Sequence, residues 1–358
     1  MKKIIILILL LFLTGCTDYK ELTDMAIVTN VAIDYTDNYK LIIQVLNNKN
    51  NNDNVIVYKS NGNTLEEAFR NISLECPKKL YLGHIRTFIV KDTLFINGGS
   101  KFIDFILRNH EIEKDFNLLV TTDDIDDIMN IKTDLINIPS ENISKSIENS
   151  SVIKGVTSNI YFDKFLMDLY DKGIEPVLSS IKIENNNIVL DNKIAIFKKD
   201  KLITYLDEDS SYGYNIINNN ASKSIVTFKC DDTNYSSIEI LDINSNYKYV
   251  NNTLIINIKL DATLKELNCN IDITNDKGIN RLKNMFIGEL KEIINKTINT
   301  EKELVIDYIG VGRYLYKNNY NYYNRNNIND IIKNMNSNII IDATFTQKSS
   351  IKKGDEKY

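Results

Sequence analysis

The chain has 358 residues, of which 43% are hydrophobic, and a formal net charge of −5. This length and hydrophobic content suit two or three domains with cores of their own. The mild acidity and the lack of basic runs in the sequence argue against a nucleic-acid-binding protein. No run beyond residue 13 approaches about 18 consecutive apolar residues, so the sequence predicts no transmembrane helix.

Residues 1–15 have the pattern of a secretory signal peptide, with a basic start followed by a short apolar core. The stretch Leu13-Thr14-Gly15-Cys16 resembles the bacterial lipobox, whose cysteine receives a diacylglyceryl group and becomes the mature N-terminus. We therefore expect an acyl lipid such as palmitate on Cys16, which would tether the chain to a bilayer outside the cytoplasm. The alternative is an ordinary export signal followed by a chance cysteine.

After the leader, the patterns predict an N-terminal α+β domain over residues 16–187. Apolar, β-branched runs at residues 26–33 and 40–46 predict a hairpin. The first firm helix is predicted after Thr64, which can cap it, with Glu67 at the capping-box spacing. The other elements are predicted at 55–58, 84–90 and 117–121 (strands) and at 100–108, 123–130, from a cap at Ser140 onward and around 162–169 (helices).

Residues 188–218 are predicted to form a β-hairpin and a short helix. Segment 219–350 is predicted to be a C-terminal domain, an antiparallel sheet packed against a long amphipathic helix at 277–298. Its other elements are predicted at 225–228, 237–243, 254–260, 264–273 and 338–346 (strands) and at 302–315 (helix). With a frayed tail at 351–358, the fold class is a multi-domain α+β protein with mixed, largely antiparallel sheets flanked by helices.

Three cysteines remain beside Cys16, and none has the spacing of a metal site. Cys230 and Cys269 could lie on neighbouring strands of one domain and form a disulfide. Buried unpaired thiols at Cys76, Cys230 and Cys269 are the favoured interpretation.

Residues able to act as acids, bases or metal ligands are few or lack suitable spacing. The two histidines, His84 and His110, have no evident nucleophile or carboxylate partner, and a structural role is favoured for His84. The acidic run of Asp123, Asp124, Asp126 and Asp127 lacks the glycine and glutamate of an EF-hand. We therefore expect a solvated helix start there, and no metal site.

Two further patterns have a functional and a structural interpretation. Gly310 and Gly312 do not form a dinucleotide-binding loop, because no third glycine follows and no predicted strand precedes them. Tyr320, Tyr322 and Tyr323 could form a sugar platform or an interface patch, although packing at the rim of a core is favoured. The sequence thus predicts no catalytic residue and no bound cofactor.

The order of several stretches resembles the Ger(x)C family of spore germination lipoproteins. The first is the segment 15–22 that follows the lipobox, which has Thr17 where the family usually has Trp. The others are 24–28 with Ile33-Asp34, Leu82-Gly83-His84-Ile85-Arg86, Phe105-Ile106-Leu107-Arg108-Asn109, 195–202, and Asp307-Tyr308-Ile309-Gly310-Val311-Gly312. The resemblance covers nearly the whole chain beyond the leader.

This resemblance implies a non-enzymatic C subunit of a nutrient germinant receptor. Members of the family assemble with a polytopic A subunit and a transporter-like B subunit in the spore inner membrane. The implied fold is a series of mixed α/β domains, in agreement with the predicted elements.

Two other functions are compatible with a lipid anchor. An extracytoplasmic solute-binding lipoprotein is the main alternative, although repeated βαβ units building two lobes are not evident in the sequence. A tethered hydrolase acting on wall material would need two carboxylates that folding brings together.

Overall fold

The computed structural model describes residues 24–47, 54–133 and 136–346. This part of the chain forms two β-sheets and eleven helices, so the multi-domain α+β prediction is confirmed. The lipobox, Cys16 and the tail 351–358 lie outside the described residues. Among the helices of the described part, none is both long enough and apolar enough to cross a bilayer.

The first sheet has nine strands in the order β3-β2-β1-β5-β6-β7-β8-β9, with β4 beside β1. The pairings of β1 with β4 and β5, of β5 with β6 and of β6 with β7 are parallel, whereas the outer pairings are antiparallel. The strands are β1 Met25–Tyr35, β2 Tyr39–Leu46, β3 Val55–Gly62, β4 Lys79–Tyr81, β5 Thr87–Lys91, β6 Asn117–Thr121, β7 Val177–Glu184, β8 Asn187–Lys198 and β9 Lys201–Tyr205.

Helices cover both faces of this sheet. Successive strand residues point to opposite sides, so the apolar strands contribute buried side chains to both faces. On one face, Ala32, Ile42 and Ile89 pack with helices α4 (Ile125–Asn130) and α5 (Pro139–Ile153). On the other face, Val31, Ile43 and Phe88 belong to the larger core. The helices of this half are α1 Leu65–Ile72, α2 Asp92–Asn97, α3 Ser100–Arg108, α4 Ile125–Asn130, α5 Pro139–Ile153 and α6 Phe162–Tyr170.

Local signals account for several of these elements. Thr64 caps α1 by accepting a hydrogen bond from the Glu67 N–H, as predicted, and Glu67 in turn accepts one from the Asn63 N–H. The predicted cap at Ser140 is wrong. Helix α5 begins at Pro139 with Ile138 as the N-cap residue, and the Ser140 hydroxyl lies buried inside the first turn without a partner. Proline fits the first helical position because its fixed φ suits a helix start and no N–H is needed there.

Helix α7 Glu208–Ile217 follows β9 and lies between the two halves of the molecule, with Ser210 to Ile217 all buried. Its Ser211 hydroxyl accepts a hydrogen bond from Ile194 of β8, and its Ser210 carbonyl accepts one from Thr297 in the other half. The side chain of Asn215 donates to the Gly155 carbonyl. The segment 188–218 therefore adds β8 and β9 to the first sheet and a central helix to the shared core.

The second sheet has four strands in the order β10-β11-β12-β13, with β13 parallel to β12. The predicted strands 254–260 and 264–273 form one strand up to residue 267, and residues 269–273 are not a strand. The elements are β10 Ile225–Lys229, β11 Tyr235–Val250, β12 Thr253–Leu267, α8 Asp276–Leu304, α9 Val311–Asn318, α10 Tyr320–Arg325, α11 Ile328–Asn334 and β13 Asn336–Phe345.

Two predictions for this half are corrected. The predicted helix at 302–315 is wrong, because α8 extends to Leu304 and ends at Val305 in a left-handed conformation (φ 54°), and a separate helix starts at Val311. Cys230 and Cys269 are joined by a disulfide with a Cα–Cα distance of 5.8 Å, whereas unpaired thiols were favoured. Cys76 is buried and unbridged.

Candidate functional site

The histidines and the acidic run lie apart from one another in the fold. His84 lies in the turn before β5, and His110 is exposed after α3, beside a groove of about 700 Å³. Asp124 caps α4, and Asp126 forms ion pairs with Lys40 and Lys59. Among residues 24–47, 54–133 and 136–346, no cluster of three or more His, Cys, Asp or Glu side chains could hold a metal ion.

A dense polar arrangement lies at the junction. We define the junction as residues 301–313, from the end of α8 to the start of α9, packed on residues 168–176, from the end of α6 to β7. Asp307 organises it by accepting hydrogen bonds from three consecutive N–H groups at the start of α9. Its Oδ1 accepts from Gly310 N (2.7 Å) and Val311 N (2.8 Å), and its Oδ2 accepts from Gly312 N (2.6 Å). These N–H groups lack intrahelical partners, and the helix dipole favours a negative charge beside them.

The backbones of the two connections touch directly. Arg313 N donates to the Gly173 carbonyl (2.5 Å), and Glu175 N donates to the Asp307 carbonyl (2.7 Å). Gly173 has φ +74°, and a Cβ atom there would overlap the backbone of Gly312 and Arg313. Glycine at position 173 is therefore required both by conformation and by the close approach.

Arg313 adds an electrostatic link across the junction. Its guanidinium group pairs with Asp168 and with Asp171 (2.8 Å), both from α6 and its C-terminal end. Burial disfavours the charged guanidinium, but the hydrogen bond and charge of Asp168 outweigh this cost and raise the pKa of Arg313. Asp168 is only 4% exposed, so loss of Arg313 would leave a buried carboxylate with less compensation.

A second carboxyl group, that of Glu301, lies beside Asp307. Glu301 is fully buried, and its Oε1 accepts a hydrogen bond from Ile309 N (2.9 Å). Burial, followed by the like charge of Asp307, raises the pKa of Glu301 well above its ordinary value. Burial raises the pKa of Asp307 to about 6, although its three N–H donors act in the opposite direction.

Within the junction, Glu301 and Asp307 are the pair that most resembles the two carboxyl groups of a hydrolase. Glycosidases place two carboxyl groups on either side of a bond in an accessible cleft. Here Glu301 is 0% exposed, Asp307 is 7% exposed, and both bind backbone groups. A polymer substrate could not reach them without opening the core, so the pair fits a structural or regulatory role better than catalysis.

The predicted tyrosines lie near the junction. Tyr320 and Tyr323 each contact Tyr316 edge-on with ring centroids 5.4 Å apart, and the ammonium group of Lys172 lies 5.4 Å from the Tyr316 ring centre. Tyr322 and Tyr323 pack partly buried against the core, whereas Tyr320 is 52% exposed. Packing therefore accounts for two of the three predicted tyrosines.

Sequence reasoning missed Glu301, Asp168 and Arg313 as members of one site. Arg313 and Asp168 are separated by 145 positions, so no local spacing could relate them. The one available signal was Gly310 and Gly312, which interrupt an otherwise helical pattern where the chain turns toward Gly173.

Comparisons with known proteins relate nearly all of the described chain to one family. The family model "Spore germination protein N-terminal domain" matches residues 18–183, and "Spore germination B3/ GerAC like, C-terminal" matches residues 192–348. Similar relatives include "Spore germination protein KC" of Bacillus subtilis (strain 168), 23% identical over 88% of this chain and 86% of the relative. "Spore germination protein GerQC" of Bacillus cereus is 23% identical over 96% and 98%, respectively.

Among solved structures, the crystal structure of the GerBC protein is similar to this chain. It superposes with a TM-score of 0.58 at 17% identity, covering 88% of this chain and 96% of that one. The two proteins therefore share a fold.

Proposed function

The chain belongs to the Ger(x)C family of spore germination proteins, and on that premise we propose that it is the lipid-anchored C subunit of a nutrient germinant receptor. The observation that carries the proposal is the pair of family models, which together match residues 18–183 and 192–348. Its role is non-enzymatic, in germinant sensing and assembly with the A subunit and the transporter-like B subunit.

The proposed anchor is an acyl lipid on Cys16. The support is the sequence Leu13-Thr14-Gly15-Cys16 after a basic start and a short apolar core. Stable anchoring needs two or more acyl chains, because each buried methylene contributes only about 0.8 kcal/mol. Anchored in this way, the chain would lie on the extracytoplasmic face of the spore inner membrane.

The first test is a pull-down of the tagged protein from detergent-solubilised spore membranes, with Cys16→Ala alongside. We expect the wild-type protein to bring down a multi-spanning, transporter-like protein. We expect Cys16→Ala to lose membrane association and the partner, because without the thiol no lipid can be attached. Cys76→Ala is the matched control, since it removes a cysteine outside the lipobox and should retain both membrane association and the partner.

The outcomes separate the candidate functions. Recovery of wild type without any membrane-spanning partner would contradict the receptor-subunit proposal and favour a solute-binding lipoprotein. If Cys16→Ala keeps the partner and its membrane association, the proposed lipid anchor is contradicted, whereas the receptor-subunit proposal is not.

A further inference from the structure

Two carboxyl groups share a buried site at the junction, and their hydrogen bonds distinguish them. Asp307 accepts three backbone hydrogen bonds through both of its oxygens. Glu301 accepts one, through Oε1, and no donor of the described chain reaches its Oε2. Because donors stabilise the ionised form, the negative charge belongs on Asp307.

The Glu301 carboxyl group needs a proton to be compatible with this site. A buried carboxylate without a counter-ion is costly, and a second one in contact with it is costlier still. A proton on Oε2 removes the charge and supplies a donor to the adjacent Asp307 carboxylate. This arrangement satisfies the unpartnered oxygen with no further change in the fold.

We propose that Glu301 is a protonated carboxylic acid that donates a hydrogen bond to the Asp307 carboxylate, and that release of this proton to water loosens the junction between the two halves of the molecule. The inference concerns a proton-sensitive contact and does not depend on the receptor role. It would make the packing of α8 and α9 on the α6–β7 connection sensitive to alkaline pH.

Other titratable groups surround the pair, and one of them, Glu175, also has a pKa that burial raises. The phenols of the neighbouring tyrosines stay neutral because burial raises their pKa further, and Arg313 stays charged. The facing groups are Tyr247 on β11, Tyr214 and Asp207 at α7, Asp168 and Asp171 at α6, Glu175 before β7, Tyr308 before α9, Arg313 on α9 and Tyr323 on α10. All of them persist in a Glu301 variant, so comparison with wild type isolates Glu301.

The sign of the effect follows from linkage. A group whose pKa is higher in the folded than in the unfolded state stabilises the fold at low pH and loses that contribution as pH rises through the folded pKa. Wild type should therefore lose thermal stability as pH rises above the ordinary pKa range of a glutamate, and the loss should continue above about pH 6, where Asp307 is already ionised, until Glu301 releases its proton.

The test compares melting temperatures of wild type, Glu301→Gln and Glu303→Gln between about pH 5 and pH 9. Glutamine mimics the protonated acid, since its amide can donate to Asp307 and its carbonyl can accept from Ile309 N. We expect the melting temperature of Glu301→Gln, relative to wild type, to rise by several degrees across this range. Glu303 is exposed, so the melting temperature of Glu303→Gln should change with pH in the same way as that of wild type.

Parallel curves for wild type and Glu301→Gln would overturn the proposal. If Glu301→Gln does not fold, infrared spectra of wild type decide the matter. A protonated carboxyl band at neutral pH that disappears at alkaline pH supports the proposal, and its absence refutes it. Amide exchange provides the readout for loosening, because residues 308–313 should exchange faster in wild type than in Glu301→Gln at pH near 9.

Discussion

Gly173 and Gly312 bring two backbones into contact at a point where side chains would normally intervene. The carbonyl of Gly173 accepts the Arg313 N–H, and the positive φ of Gly173 turns the chain away after α6. A residue without Cβ at position 173 thus allows residues far apart in sequence to hydrogen-bond directly. The ion pairs of Arg313 then add to a contact that the backbone has already defined.

We predict that Gly173→Ala lowers the free energy of unfolding by about 2 kcal/mol or more. The left-handed conformation alone costs an alanine roughly 1–2 kcal/mol, and the new Cβ would overlap Gly312 and Arg313. Chemical denaturation measures the change. The matched control is Gly288→Ala in α8, where a Cβ meets nothing within 4 Å.

The control should change stability in the opposite direction. Replacing a glycine in a helix interior by alanine stabilises by about 0.5–1 kcal/mol, because less backbone entropy is lost on folding. Equal effects of the two substitutions would mean that Gly173 is not held against Gly312 as described.

At the scale of elements, the disulfide fixes the connection between the second sheet and α8. Cys230 follows β10, and Cys269 follows β12, so the bridge closes a loop with a sequence separation of 39. The bridge holds the start of this connection at Cys269. Further along, the side chain of Asn275 caps α8 by accepting a hydrogen bond from the Gly278 N–H. The bridge therefore restrains the segment that positions the long helix.

We predict that Cys230→Ser with Cys269→Ser lowers the free energy of unfolding by roughly 2–4 kcal/mol. The reason is that a closed loop of this length restricts the unfolded chain. Reductant should destabilise wild type by a similar amount and leave the double variant unchanged in denaturant titrations. A stability of wild type that is insensitive to reductant would indicate that the two thiols are unpaired.

Element prediction from the sequence succeeded where the pattern is local. Helix α3 and strand β6 have the predicted bounds, which follow from apolar periodicity. The break between α8 and α9 is predicted between residues 298 and 302 but lies at residues 305–310, because residues 302–315 have helical periodicity on either side of Gly310. Helix α8 ends because the carboxyl groups of Glu301 and Asp307 accept hydrogen bonds from backbone N–H groups of residues 309–312.

At the scale of the whole molecule, the two sheets share one continuous core. Side chains from Ala26 in β1 to Ala343 in β13 belong to the same buried cluster. Helix α7 is buried between the halves, and Tyr308 donates its hydroxyl to the Thr297 carbonyl beside it. The domain boundary at residue 219 stays a prediction. Because the two halves share one core, we expect them to unfold together.

We predict that Asp307→Asn lowers the free energy of unfolding by roughly 2–4 kcal/mol and shifts a single unfolding transition without splitting it. Hydrogen bonds to a buried charged acceptor contribute about 1.5–3 kcal/mol each, and asparagine can replace only part of them. Calorimetry provides the measurement. Asp232→Asn, at an exposed turn residue, is the control and should leave the transition in place.

Two separate transitions in wild type would contradict this prediction, because they would mean that the halves unfold independently despite the shared core. A shift confined to one of two transitions would place the role of Asp307 within the C-terminal half alone.

The parallel pairing of β13 with β12 has a consequence for biosynthesis. Strand β12 is made well before β13, and the whole of α8 to α11 lies between them. At about 5–20 residues per second, the nascent chain carries an unpaired strand edge for several seconds. Such an edge is a template for pairing with other chains, so we expect the chain to be prone to aggregation until β13 reaches β12, and to need chaperones that bind extended segments.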